Sequence, residues 1–139
     1  AAQRGVRVRL LLQGHYEYFL PYHAARQLYG QMLSAGIEIH EYHASFLHAK
    51  VAVVDGQWAT VGSSNLDPLS LLLAREANVV VRDGPFAMLL RQRLLKALQL
   101  QSARVDPAAY AGRGRWQRSL DLVALGVMRV VLFLIGRAY

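Results

Sequence analysis

HAKVAVVDGQWATVGSSNLDPLSLLLARE, residues 48–76, is the stretch around which the rest of the 139-residue chain is organised. Alternation over Leu47–Val54 predicts a strand, and in a strand His48 and Lys50, two apart, project from one face. Asp55-Gly56 predicts a two-residue hairpin turn, with Gln57–Val61 as the returning strand. Gly62 lets the chain bend sharply, and Ser63, Ser64 and Asn65 then follow as small polar groups at a strand end, where ligand contacts concentrate. Asp67-Pro68 reads as an N-cap and first helical residue, opening a short helix to about Leu73.

Gathered at one point, these side chains suit phosphoryl transfer, which asks a protein mainly for positioning and for positive charge and donors around phosphate oxygens. His48 offers either a nucleophile that becomes a phospho-histidine or an acid/base for the leaving alkoxide. Lys50 supplies a compact charge, and Ser63 and Asn65 supply neutral donors. Glu76 can hold the other imidazole nitrogen and fix its tautomer. Each residue alone has a plainer reading: a packed histidine, a solvated lysine, turn residues and a helix-end glutamate. Of the 16 basic residues only Lys50 and Lys96 are lysines, so a lysine at this position departs from the chain's habit. The joint spacing decides for function.

H-A-K-V-A-V-V-D followed by G-S-S-N resembles the HxKxxxxD and GSxN motif of the phospholipase D superfamily, with every signature position filled. The longer run FLHAKVAVVDGQWATVGSSNLDPLSLLLAREANVVV is similar to the second catalytic motif of bacterial cardiolipin synthases, most of all to the cardiolipin synthase B group. The resemblance covers roughly residues 4–100. It implies a catalytic set of His48, Lys50, Asp55 and Glu76, with Lys50, Ser63 and Asn65 on the phosphate. Asp55 in that set is mainly structural, and Glu76 has the spacing of the glutamate that orients the histidine. It further implies that two such motifs meet at one phosphate, one histidine as nucleophile and the other as acid/base. His48 takes the acid/base role if this is the C-terminal copy, and the nucleophile's role if the assignment is reversed.

The activity implied is transfer of a phosphatidyl group from one phosphatidylglycerol to another, making cardiolipin and releasing glycerol, with no metal and no cofactor. The partners implied are phosphatidylglycerol, an anionic membrane surface, and an absent N-terminal lobe or a second chain carrying the other motif, with no nucleic acid. The place implied is the cytoplasmic face of the bacterial inner membrane, held peripherally. The alternative is a metal-independent nuclease with a single motif, active as a homodimer. A basic domain would suit DNA, but the Leu66-Asp67-Pro68-Leu69-Ser70 continuation and the apolar tail are features that a nuclease does not need. A third reading, a binding module that keeps the motif without activity, sits poorly with an intact polar set.

The net charge of +7 calls for an anionic partner, and 54% hydrophobic residues are enough for a core. There is no cysteine, which excludes disulfides and thiolate zinc sites. No signal peptide is visible at the start.

Along the chain, Ala1–Arg4 with Gly5 reads as the last turn of a helix, which suggests a fragment lacking its first strand, most of a first helix and a partner lobe. Val6–Leu12 is an expected strand. Gln13–Tyr22 is a polar and aromatic connection with Gly14, His15, Tyr16, Tyr18, Tyr22 and His23 close together, expected to pack its rings on the domain surface; the resemblance places it near the substrate entrance, which gives a headgroup or acyl-chain role as the alternative. Pro21–Ala35 fits a helix with Ala25, Leu28, Tyr29, Met32 and Leu33 on one stripe, ended by Gly36. Ile37–Tyr42 follows as a strand, with His40 and His43 non-catalytic and at no metal-ligand spacing. Ala77–Arg82 is a further strand, and Asp83-Gly84-Pro85 starts a helix from about Phe86 to Gln101.

The expected fold is therefore α/β, a phospholipase D-like lobe with a mixed β-sheet flanked by helices, incomplete at its N-terminus. Residues 1–101 form that lobe and 102–139 a basic, apolar tail. In the tail, the 14-residue run Leu122–Ile135 contains Arg129 and is shorter than the ~20 apolar residues a spanning helix needs. With Arg113, Arg115, Arg118, Arg137 and Trp116, it is expected to lie on a membrane surface or else to pack on the absent lobe.

Overall fold

A parallel pair of strands joined by a helix opens the architecture. In the computed structural model, which describes residues 1–15, 19–64 and 76–137, β1 (Arg9–Gln13) is followed by α1 (Phe19–Ser34) and β2 (Glu38–Tyr42). β1 and β2 run parallel with Leu10 opposite Ile39, and β6 (Ser102–Arg104) adds antiparallel to β2 with His40 opposite Arg104. Two short stretches of the expected pattern shift: Ala2–Arg4 is a single 3-10 turn, and β1 starts three residues later than the apolar run suggests. α1 starts at Phe19, ahead of Pro21, because a proline in the first helical turn removes only an N–H that has no intrahelical partner. It ends as expected, with Gly36 and Ile37 N–H groups donating to the Leu33 and Met32 carbonyls.

Contacts divide the chain into two compact units, residues 1–46 with 102–139, and residues 47–101. In the first unit Tyr29, Ile39 and Tyr110 form the buried centre, with Leu12, Met32, Leu33, Ile37 and Val105 packed around it. Tyr110 comes from α3 (Pro107–Ala111), capped by Asp106, and its hydroxyl donates to the Arg26 carbonyl. The Arg26 guanidinium donates to Glu41 at 2.6 Å and to the Tyr22 hydroxyl at 2.9 Å, while it lies over the rings of Tyr22 and Tyr29. Burial pushes the Tyr29 phenol up from its ordinary value.

The expected apolar run is part of a longer element, α4 (Arg115–Arg137), which packs along α1. Among the described residues, Ala124 and Asp121 are its buried positions. The Asp121 carboxylate, 2% exposed, is paired on both oxygens, with His23 Nδ1 of α1 and Arg113 Nη1 each at 2.6 Å. A carboxylate so deep is tolerable only because both oxygens are paired. No described helix is long and apolar enough to cross a membrane.

Among the described residues, the second unit is a three-strand antiparallel meander under one helix. β3 (Lys50–Val54), β4 (Trp58–Gly62) and β5 (Asn78–Val81) pair in that order. Asp55 and Gly56 both take positive φ (53° and 66°), and the Gln57 N–H donates to the Val54 carbonyl, which makes the expected turn. The loop is one residue longer than expected, since Val54 pairs with Trp58 and Gln57 stays outside the ladder. α2 (Gly84–Leu100) starts at Asp83, whose carboxylate accepts from the Phe86 N–H at 2.7 Å. It covers β3 and β4, and Ala87 on the helix and Ala59 on the sheet are both fully buried. The α/β class with mixed strand pairing is as expected, divided between two small sheets.

Candidate active site

Antiparallel connection sets the start of β3, the end of β4 and the start of β5 at one end of the sheet, so residues distant in sequence arrive together. That end carries His48 and Lys50, then Gly62 to Ser64, then Glu76 to Asn78. Lys50 is paired in register with Gly62, and Gly62 with Asn78, so the three make one row across the strands. By alternation this row belongs to the face opposite Ala59.

The expected strand of Leu47–Val54 begins only at Lys50, and His48 lies just ahead of it, exposed. The pair survives that shift: Lys50 Nζ and His48 Nε2 are 2.7 Å apart. An ammonium has only donors, so Nε2 accepts and the neutral ring carries its proton on Nδ1. Ser63 extends the ladder, since its N–H donates to the Ala77 carbonyl at 3.0 Å. Its hydroxyl accepts from the Ala77 N–H at 3.1 Å and donates, at a long 3.4 Å, to the Ala77 carbonyl. Glu76 is exposed at the same end. Asp55 is at the other end of β3, in the hairpin turn, about 17 Å along the strand from Lys50 by the usual rise per residue. Asn65 and the short helix expected at Asp67–Leu73 lie outside the described residues.

Asn78 is the polar group that the sequence reading passed over. A Cβ on Gly62 would come within 1.7 Å of Asn78 Oδ1 and 2.4 Å of the Ala77 carbonyl, so the Asn78 amide occupies the space that glycine leaves. The same Oδ1 accepts from the Ser64 N–H at 3.3 Å, tying β5 to the bend that follows Gly62. A signal existed in the sequence: in Asn78-Val-Val-Val81, the only polar strand position shares a face with Lys50, but recognising it needs the register. Among the described residues, no group of three or more His, Asp or Glu is placed to hold a metal ion.

Residues 1–98 match the family model described as "Cardiolipin synthase, PLD-like domain". The chain belongs to the phospholipase D superfamily. Within that superfamily it is 40% identical over 136 residues, 98% of its length, to cardiolipin synthase B of Escherichia coli (strain K12). It is 36% identical over 121 residues to cardiolipin synthase A of Erwinia tasmaniensis, and 32% identical over 124 residues to the probable cardiolipin synthase YwiE of Bacillus subtilis (strain 168). The alignments take in 87% and 89% of the chain respectively. The chain spans 33% of cardiolipin synthase B and 25% of each of the other two, about a third to a quarter of these relatives. No solved structure matches it. The cardiolipin synthase resemblance of the His48–Glu76 stretch is thus borne out by matches that run well beyond the stretch itself.

Proposed function

We propose that this chain supplies one half of a phosphatidyltransferase site that makes cardiolipin from two phosphatidylglycerol molecules. The observation that carries the proposal is the His48–Lys50 pair, 2.7 Å apart beside the Gly62–Ser64 bend. A histidine in a second motif attacks the phosphorus of the first phosphatidylglycerol; a P–N bond forms and the P–O bond to glycerol breaks. For this step His48 enters protonated, released from Lys50, and as the acid/base its Nε2–H gives the proton to the departing glycerol oxygen, which leaves the ring neutral. It then takes the proton from the primary hydroxyl of a second phosphatidylglycerol, whose oxygen attacks phosphorus as the P–N bond breaks. Lys50, now donating to His48, turns to the phosphate oxygens when that anion enters.

Ser63 and Asn65 add donors, and the long Ser63 hydroxyl bond to Ala77 costs little to redirect. Glu76 accepts a hydrogen bond from the His48 Nδ1–H and so holds its tautomer, and Asp55 serves the hairpin. The reading needs no metal and no cofactor. The second motif comes from a further lobe or a second chain, and the whole works peripherally on the cytoplasmic face of the bacterial inner membrane.

The test gives the protein, with its second motif present, phosphatidylglycerol vesicles or plasmid DNA in the presence of chelator. Cardiolipin should form, and His48→Ala should lower its rate on the order of 10³-fold. Nicked plasmid without cardiolipin would assign the site to a metal-independent, homodimeric nuclease instead, and neither product would leave only a binding role. The 139-residue chain by itself is expected to be inactive unless it dimerises, which turnover measured against its sedimentation state will check.

A further inference from the structure

α4 has two apolar faces, and contacts within its unit account for one. The inner face, centred on Asp121 and Ala124, packs along α1. At 100° per residue, Trp116, Val123, Val127, Val130 and Leu134 fall on one stripe on the other side. All five are exposed, with Trp116 at 79%, Val123 at 62% and Leu134 at 61%. A continuous row of large apolar side chains along a 23-residue helix exceeds the scattered apolar exposure usual on a protein surface. Exposed Leu122 and Phe133 widen the apolar face on one side of this stripe, and Arg118 and Arg129 follow beyond them, with Arg115 in the first turn.

We propose that this outer stripe docks on an anionic lipid surface, with α4 lying in the plane of the interface. Charge complementarity selects that occupant. The apolar face, widened by Leu122 and Phe133, is bordered on one side by arginines in a chain of net charge +7, an arrangement that suits phosphate headgroups above an acyl layer. Trp116 takes the headgroup level that indole prefers. Since no described helix can span a bilayer, the helix lies flat. The inference deepens the membrane partner of the proposed function and rests on that reading for its biological sense. Vesicle binding, however, requires no turnover, so a failure here leaves the His48 chemistry untouched, and a failure there leaves the docking measurement intact.

The experiment is co-sedimentation of the full chain with vesicles of phosphatidylcholine alone, or of phosphatidylcholine mixed with phosphatidylglycerol, at low and high salt. In a Trp58→Phe background, Trp116 fluorescence reads the burial of the stripe. Binding should require the anionic lipid, weaken with salt and shift the Trp116 emission to the blue. Arg129→Gln should weaken it about fivefold, the worth of one arginine near a charged surface. Val123→Asp with Val130→Asp should weaken it by more than roughly tenfold. Both valines are exposed, so circular dichroism should show the fold kept. Equal binding by the double variant, equal binding to neutral vesicles, or an unshifted emission would each overturn the proposal. So would concentration-dependent self-association without vesicles that the double variant abolishes, since the stripe would then be covered by a second copy.

Discussion

Lys50, Gly62 and Asn78 stand in one row across three strands, and the middle member has no side chain. The row works because the Asn78 amide fills what Gly62 leaves open and accepts from the Ser64 N–H. Gly62→Ala should therefore do more than crowd a flexible group, since the new carbon also meets the Ala77 backbone carbonyl at 2.4 Å. We expect it to cost about 1–3 kcal/mol, as overpacking does, and to lower cardiolipin formation more than tenfold. A urea melt and a rate assay on the same preparation will check both, and an unchanged rate would remove Gly62 from the site. Asn78→Ala should leave the melt nearly unmoved, because its bond is exposed, while loosening the bend enough to lower the rate. His48 and Lys50 were legible in the sequence because two-residue spacing fixes a face whether or not the strand already includes His48. Asn78 was not, because its partners lie in a different strand and only the register brings them opposite.

Elements differ in how openly they announced themselves. The β3–β4 hairpin could be read from Asp55-Gly56, since few dipeptides take positive φ twice, and α2 from Asp83 and Pro85. β6 could not: Ser-Ala-Arg carries no alternation, and it is a strand only because β2 offers an open edge. α4 was visible as an apolar run, but its length and its attachment were hidden, because Asp121 reads in sequence as an ordinary polar position ahead of that run. In the fold this carboxylate holds α4 to His23 of α1 and to Arg113. Asp121→Ala should destabilise the unit by about 3–5 kcal/mol, since it leaves the half-buried Arg113 guanidinium without its counter-charge. Asp121→Asn should cost less, because one oxygen and two N–H donors remain. Thermal unfolding followed at the helical band orders the three proteins, and a melt of Asp121→Ala like that of the native chain would refute the attachment.

At the level of the whole molecule, acid is expected to weaken the fold before it reaches the carboxylates. Burial holds the His40 imidazole below its ordinary value, Arg104 and Arg9 push it the same way, and Glu38 opposes them. A base with a depressed folded value is neutral in both states above about pH 6.5. As pH falls below that, the unfolded chain takes up the proton first and stability is lost. Urea midpoints should therefore drop between about pH 7 and about pH 5, and His40→Gln should flatten that dependence. The two units also differ in how the chain builds them. Residues 47–101 are continuous, whereas the other unit needs residues 1–46 and a closing segment that begins at Ser102. At roughly 5–20 residues per second, a ribosome leaves the outer edge of β2 uncovered for several seconds while the intervening unit is made. A bare strand edge beside an uncovered helix invites strangers to pair with it. The nascent protein is thus expected to pass through a period in which that edge is open to mispairing, and a chain released at Gln101 should collect in the insoluble fraction.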